Sequence, residues 1–234
     1  MTATPDQPTG PAPRAVLFDA YGTLFDVYSV GATAEQLFPG HGERLGIIWR
    51  DKQIEYTRLS SMSGQVRSFR DCTRGGLRFA AARLGLVLGA AAEEALLGSY
   101  ERLAPFPENR AVLESLKQRG IPAGILSNGD PDMLDAVVAH AGFTALVDPV
   151  LSVEGTGRFK TDPAAYALGT AAFGLPAAEI LFVSSNCWDA IGATWFGYTT
   201  LWINRFGLPL DDLGASPSRI GTTLADVLAF SFPD

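Results

Sequence analysis

Apolar residues fall along this chain in two rhythms. Short unbroken runs occur at Ala15-Val16-Leu17-Phe18, at 121–126, within 146–153, at 180–183 and at 200–203. Apolar runs of this length, bounded by turn residues, read as strands buried on both faces. Between them lie stretches whose apolar residues recur every three or four positions: 107–119, 131–141, 164–173 and 188–196, with 224–230 closing the chain. Gly120, Gly142 and Gly174 stand where three of these helices should stop. Strands that alternate with helices imply βαβ units, so the pattern predicts an α/β fold with a doubly wound parallel sheet.

One long segment breaks the alternation. From Val30 to about Leu103 the spacing is helical throughout and no strong strand interrupts it. Leu45, Ile48, Trp49, Tyr56 and Leu59 mark one amphipathic helix, and 77–84 and 93–103 mark others. This block follows the first strand directly, so it is expected as a helical cap inserted over the carboxyl edge of the sheet. The expected organisation is a flexible tail over 1–13, a core of 14–27 and 104–234, and a cap of 28–103. The tail holds four prolines and no apolar core segment, and it lacks the apolar region of a secretion signal. No internal repeat is present.

Composition narrows the class. The chain has 234 residues, 47% hydrophobic and 18% charged, a globular profile with enough length for a sizeable core. Its net charge of −7, without a basic run, argues against nucleic acid and against an acidic membrane surface as partners. No apolar stretch reaches the ~18 residues of a membrane span. Two cysteines, Cys72 and Cys187, make no disulfide framework and suit a reducing cytoplasm. No Cys/His pairs at short spacing suggest zinc. His41 lies between two glycines and His140 precedes Gly142, so both read as turn or helix-end residues. Any acid–base chemistry is expected to fall to carboxylates.

Four strand ends carry polar residues that a core does not need. They are Asp19 with Thr23; Ser127-Asn128-Gly129; Lys160; and Ser184-Ser185-Asn186 with Asp189. In an open α/β sheet, ligands sit beyond the carboxyl ends of the strands. The Ser, Asn and Asp groups taken singly read as turn chemistry, Lys160 as a solvated lysine, and Asp19 as a turn or helix cap. Four on one edge are harder to dismiss. Arg50 is a separate case: with Ile47 and Ile54 it shares i, i+3, i+7 spacing, placing an arginine on an apolar stripe. Snorkelling to the surface and a role in a site both remain open.

The order Phe18-Asp19-Ala20-Tyr21-Gly22-Thr23-Leu24, Ser127-Asn128-Gly129, Lys160, then Asn186 and Asp189 resembles the haloacid dehalogenase superfamily over nearly all of the chain after the tail. Superfamily phosphatases carry a second aspartate two residues after the nucleophile and further carboxylates at the fourth strand end for magnesium. Here those places read Tyr21 and Ser184-Ser185-Asn186-Cys187-Trp188-Asp189. Tyrosine is a poor acid for a leaving alkoxide at neutral pH, and the site is a poor oxygen cage. The longer strings, including Trp49-Arg50, Leu103-Ala104-Pro105-Phe106 and Leu201-Trp202-Ile203-Asn204-Arg205, are similar to the (S)-2-haloacid dehalogenases. The alternatives are a magnesium-dependent phosphatase of the same superfamily and a non-catalytic binding protein that keeps the fold.

That resemblance implies a mechanism without metal or other cofactor. Asp19 would attack C2 of an L-2-haloacid and displace halide with inversion, forming an aspartyl ester that water hydrolyses to a D-2-hydroxy acid. Arg50 would bind the halide with help from Asn128. Ser127, Lys160 and backbone amides near Ala20 and Asn128 would hold the substrate carboxylate. Tyr21, Ile54, Phe69 and Trp188 would wall the pocket. Asn186 and Asp189 would position and activate water, Thr23 would orient the nucleophile, and Ser184 and Tyr166 would support Lys160 and the carboxylates. Family members are commonly homodimers, so a homodimer is expected. The chain departs from the family at Thr161, where proline more often follows the lysine, which leaves the aim of Lys160 open. Asp51, beside Arg50, is a second local difference: it would either pair with surface charges or modulate the halide site.

Overall fold

A computed structural model describes residues 11–233, so of the tail expected over 1–13 most lies outside the described residues. Six strands form one wholly parallel sheet: β1 Ala15–Phe18, β2 Ala123–Ser127, β3 Val150–Ser152, β4 Ile180–Ser184, β5 Thr199–Ile203 and β6 Arg219–Gly221. Their spatial order is β3-β2-β1-β4-β5-β6. The chain winds outward to one side from β1 and then crosses to β4 for the other. This reversal leaves a crevice at the carboxyl ends of β1 and β4, where open α/β sheets bind ligands. The central strands β1, β2, β4 and β5 are buried along their whole length, as unbroken apolar runs require.

Four helices flank the sheet: α5 Asn109–Gln118, α6 Pro131–His140, α7 Pro163–Phe173 and α8 Cys187–Phe196. Asp162 caps α7, its side chain accepting from Ala164 N at 2.9 Å, with Pro163 at the first helical position. The segment expected as a closing helix at 224–230 is a short 3-10 turn, Leu224–Ala229. His140 lies in the last turn of α6, and His41 sits just before a helix, as the pattern suggested.

Between β1 and α5 lie α1 Val30–Leu37, α2 Gly42–Ser63, α3 Phe69–Arg83 and α4 Ala90–Ser99. This helical block packs largely on itself, with α2 laid along α3. The close approach depends on Gly76, where an added Cβ would lie 3.1 Å from backbone atoms of Trp49 and Gln53. The buried side of α2 is Leu45, Trp49, Arg50, Gln53, Thr57 and Ser60, whereas Ile47 is 43% exposed. The expected apolar stripe through Ile47, Arg50 and Ile54 therefore does not exist. Arg50 instead sits on a buried face that is largely polar.

Three anchors tie the block to the sheet. Asp130, before α6, accepts from Phe69 N at 2.8 Å and Arg70 N at 2.9 Å. Arg70 bridges Glu101 at 3.2 Å and Asp132 at 2.7 Å. Phe159 N donates to Ser61 Oγ at 2.7 Å. No described helix is long and apolar enough to cross a membrane.

Candidate active site

Asp19 leaves the end of β1 and enters a turn that Gly22 allows. Gly22 has φ of +95°, and Ala20 O accepts from Thr23 N, Leu24 N and Phe25 N. This turn folds Thr23 back over the carboxylate that precedes it. Thr23 Oγ1 donates to Asp19 Oδ2 at 2.9 Å and accepts from Ser185 N at 2.8 Å, so its single proton is directed at the carboxylate. Asn186 Nδ2 donates to the same oxygen at 2.8 Å, and Ser184 Oγ at 3.4 Å. Oδ1 receives Lys160 Nζ at 3.1 Å. Asp19 is thus held by residues from β1, β4 and the loop before α7, although these lie far apart in sequence.

Lys160 links two carboxylates. Its ammonium is buried and lies 3.1 Å from Asp19 and 3.0 Å from Asp189. Burial lowers its proton affinity, but Asp189 and Asp19 outweigh that and leave it raised. Its backbone N–H donates to Asn128 Oδ1 at 2.9 Å, and its peptide with Thr161 is cis. Despite Thr161, the side chain points between the two aspartates. Its Nζ bonds Asp19 and Asp189, and Lys160, like Asp189, is not among the residues that line the cavity in front of Asp19.

Asp189 is fully buried. Tyr166 OH donates to its Oδ1 at 2.8 Å and Lys160 Nζ to its Oδ2. Burial pushes its pKa up to about 6 against the pull of Lys160, and the nearby charge of Asp19 adds to the rise. Burial and Asp189 together raise Tyr166 well above the ordinary phenol range, so it stays a neutral donor.

The cavity in front of Asp19 is lined by Tyr21, Arg50, Ile54, Thr57, Phe69, Ser127, Asn128, Asn186 and Trp188 as well as Asp19 itself. All four expected wall residues are therefore brought together. Tyr21 stacks against Phe69 with ring centroids 5.1 Å apart; its buried hydroxyl has no partner among the described residues, and burial raises its pKa far out of reach. Asn128 has spent its carbonyl oxygen on Lys160 N, which leaves its NH₂ free. Ser127 Oγ accepts from Gly129 N at 3.1 Å and keeps its proton.

Arg50 reaches down from α2 and is 6% exposed, so it does not snorkel. Its Nη2 donates to Tyr21 O at 3.0 Å and Asn186 Oδ1 at 3.4 Å, and its Nη1 donates to Gln53 Oε1 at 2.7 Å. Asn186, expected to position water, has no free amide proton, because Asp19 and Tyr21 O take both. Its side chain thereby ties Asp19 to Arg50. Ser184, expected to support Lys160 and the carboxylates, donates to Asp19. Asp51 lies exposed on the outer side of α2, in a hollow with Ile54, Glu55, Arg58, Leu59, Met62 and Trp188, and makes no contact with the guanidinium.

Gln53, Thr57 and Asp130 were not anticipated. The sequence signal for the first two was present: polar residues at i+3 and i+7 from Arg50 turn with it to the buried side. Asp130 gave no such signal, since Asp-Pro reads simply as a helix start.

A magnesium ion does not fit this site. Lys160 already occupies the gap between the two carboxylates, and Asn186 presents donors to Asp19 rather than an oxygen. Among the described residues no group of three or more His, Cys, Asp or Glu could hold a metal.

A sheet that reverses at β1, with an aspartate there and a lysine–aspartate pair behind it, defines a class of hydrolase. The chain belongs to the haloacid dehalogenase-like hydrolase family, whose model matches residues 13–197. It is 45% identical over 215 residues to the (S)-2-haloacid dehalogenase of Pseudomonas sp. (strain YL), covering 92% of this chain and 93% of that one. A solved L-2-haloacid dehalogenase shares 55% identity with a TM-score of 0.91 over 94% of this chain and 98% of that one. The L-2-haloacid dehalogenase of Xanthobacter autotrophicus, solved with chloropropionic acid covalently bound, is 36% identical with a TM-score of 0.86, over 92% and 96% of the two chains.

Proposed function

We propose that this chain hydrolyses L-2-haloacids to D-2-hydroxy acids and halide, with Asp19 as the nucleophile. The observation that carries this reading is the clamp on Asp19. Thr23, Ser184, Asn186 and Lys160 orient and neutralise a carboxylate beside a small cavity that carries the Arg50 guanidinium. Four donors fix the carboxylate in place for attack on carbon. Halide departure needs no proton, which suits a site with Tyr21 in place of a second acid. The covalently bound chloropropionic acid in the Xanthobacter relative supports the same course.

The substrate carboxylate meets Ser127, Lys160 and the amides near Ala20 and Asn128, and the alkyl group meets Tyr21, Ile54, Phe69 and Trp188. Asp19 attacks C2 from the face opposite the halogen. The C2–halogen bond breaks and the halide leaves with its electron pair toward Arg50 and Asn128, whose N–H groups stabilise charge as it develops. Esterification removes the charge of Asp19, and Lys160 is left to pair with Asp189. Water, deprotonated with help from Asp189, attacks the aspartyl carbonyl carbon. The ester C–O bond breaks, the hydroxy-acid oxygen takes a proton, and Asp19 is restored.

Residues 28–103 act as the cap and the remainder after the tail as the core, in a cytoplasmic enzyme that works as a homodimer. Exposed Tyr28, Ile47, Phe206 and Leu208 line one apolar hollow suited to a second copy, which sedimentation of the purified chain tests.

Single-turnover hydrolysis of L-2-chloropropionate in ¹⁸O water, with EDTA present, tests the chemistry. The expected product is unlabelled, with ¹⁸O in the Asp19 carboxylate and no loss of rate on chelation. Label in the first-turnover product would mean direct attack by water. Phosphate release restored by magnesium would assign the chain to the phosphatases.

A further inference from the structure

We infer that Gln53 is a positioning residue for Arg50: a neutral, fixed acceptor that aims the guanidinium without cancelling its charge. The inference rests on the dehalogenase reading above, in which Arg50 receives the leaving halide.

Gln53 lies one turn along α2 from Arg50 and is fully buried. A buried amide could present either its oxygen or its NH₂ to a neighbour, and here a chain of hydrogen bonds decides. Thr73 Oγ1 donates its only proton to Phe69 O at 2.7 Å. It must therefore accept from Gln53, whose Nε2 lies 2.6 Å away. That turns Gln53 Oε1 toward Arg50 Nη1, at 2.7 Å. The order of proton donation from Arg50 to Gln53 to Thr73 to Phe69 O admits no reversal. Phe69 is also a wall of the cavity, and its own N–H is held by Asp130.

The chemistry explains why an amide suits this place. Glutamate here would hold the guanidinium as well but would neutralise it, because a buried carboxylate at hydrogen-bond distance forms a full ion pair. Leucine would leave Nη1 without its partner and the fork without its aim. Glutamine alone supplies an acceptor and no charge. With Nη1 on Gln53 and Nη2 on Tyr21 O and Asn186 Oδ1, three of the five N–H groups are committed, and two are left for a departing anion.

An effect on the leaving group separates this role from simple packing. Chloride is the poorer leaving group, so its departure draws more on Arg50 than that of bromide. Single-turnover ester formation from L-2-chloropropionate and L-2-bromopropionate should be measured in Q53L, Q53E, T73V and T73S by quench and mass spectrometry. The expected result for Q53L and Q53E is a fall of ~10²-fold with chloride, several-fold smaller with bromide, on the scale of one misplaced charge-stabilising donor. T73V, which unlocks the amide while keeping its shape, should show the same skew in weaker form. T73S should match the wild type, and ester hydrolysis should be unchanged in all four. A chloride-to-bromide ratio equal to wild type in Q53L and T73V would overturn the inference; if Q53L fails to fold, T73V alone decides. Absence of halide release by the wild type would instead defeat the dehalogenase reading itself.

Discussion

Asp189 carries a charge that the fold tolerates for the sake of the reaction. Burial and Asp19 raise its pKa to about 6, well above the ~3.9 of an unfolded aspartate. A carboxyl that binds its proton more tightly in the folded state contributes stability that is present below about pH 4 and is lost as the pH rises through about 6. At neutral pH burial of the ionised side chain opposes folding, while its pairing with Lys160 favours it. Replacing it by asparagine should raise the melting temperature at pH 7 by several degrees, on the order of 1–3 kcal/mol, with the gain shrinking toward pH 4.5. The same variant should stall after the first half-reaction, and a substrate-sized adduct should accumulate on the peptide containing Asp19. Thermal melts of D189N at the two pH values check the first expectation and intact mass the second. A lower melting temperature at pH 7 would show that the Lys160 and Tyr166 contacts outweigh burial.

The elements show which parts of this molecule a sequence can reveal. The central strands were legible because both faces are buried, and a doubly buried strand must be apolar throughout. The sixth strand, Arg219–Gly221, was not, since it is a short edge strand whose Ile220 is 56% exposed. Helix α3 begins at Phe69 and not near Leu77, and its Gly75 and Gly76 admit α2. The strand-end residues of the site were legible from their position alone. Their partners were not: Lys160 meets Asp19 across 141 residues, and only the sheet order makes that contact. Asp130 is the strongest instance, a residue from the loop between β2 and α6 that satisfies the first two N–H groups of a helix in the block, while Ser68 takes the third at 3.0 Å. D130A removes that cap and should cost about 2 kcal/mol, or roughly 4–8 °C in Tm for a chain of this size. D130N, which keeps one acceptor, should lose less. Because Phe69 moves with its N–H, KM for a 2-haloacid should rise in D130A, whereas a purely local cap would alter Tm alone.

At the scale of the whole molecule, the sheet edge and the helical block enclose very little space between them. The cavity in front of Asp19 has a volume of about 20 Å³, against about 560 Å³ in the outer hollow around Arg58. Ile54 and Trp188 belong to both, so these two side chains form the partition. A cavity this small, walled on one side by Tyr21, Ile54, Phe69 and Trp188, limits what can enter. Haloacetate and 2-halopropionate ask the least of the walls; a longer alkyl tail has to displace the partition. The wild type should therefore favour 2-bromopropionate over 2-bromohexanoate in kcat/KM. I54A should narrow that preference by joining the chamber to the hollow. Each methylene that gains a place in apolar surroundings is worth about 0.8 kcal/mol, or roughly fourfold, so the three added carbons set a ceiling of about 60-fold on the shift. The short substrate should lose rate in the same variant, because the opened wall admits water. Equal preference for the two acids in the wild type would show that the partition yields freely and that selectivity lies elsewhere.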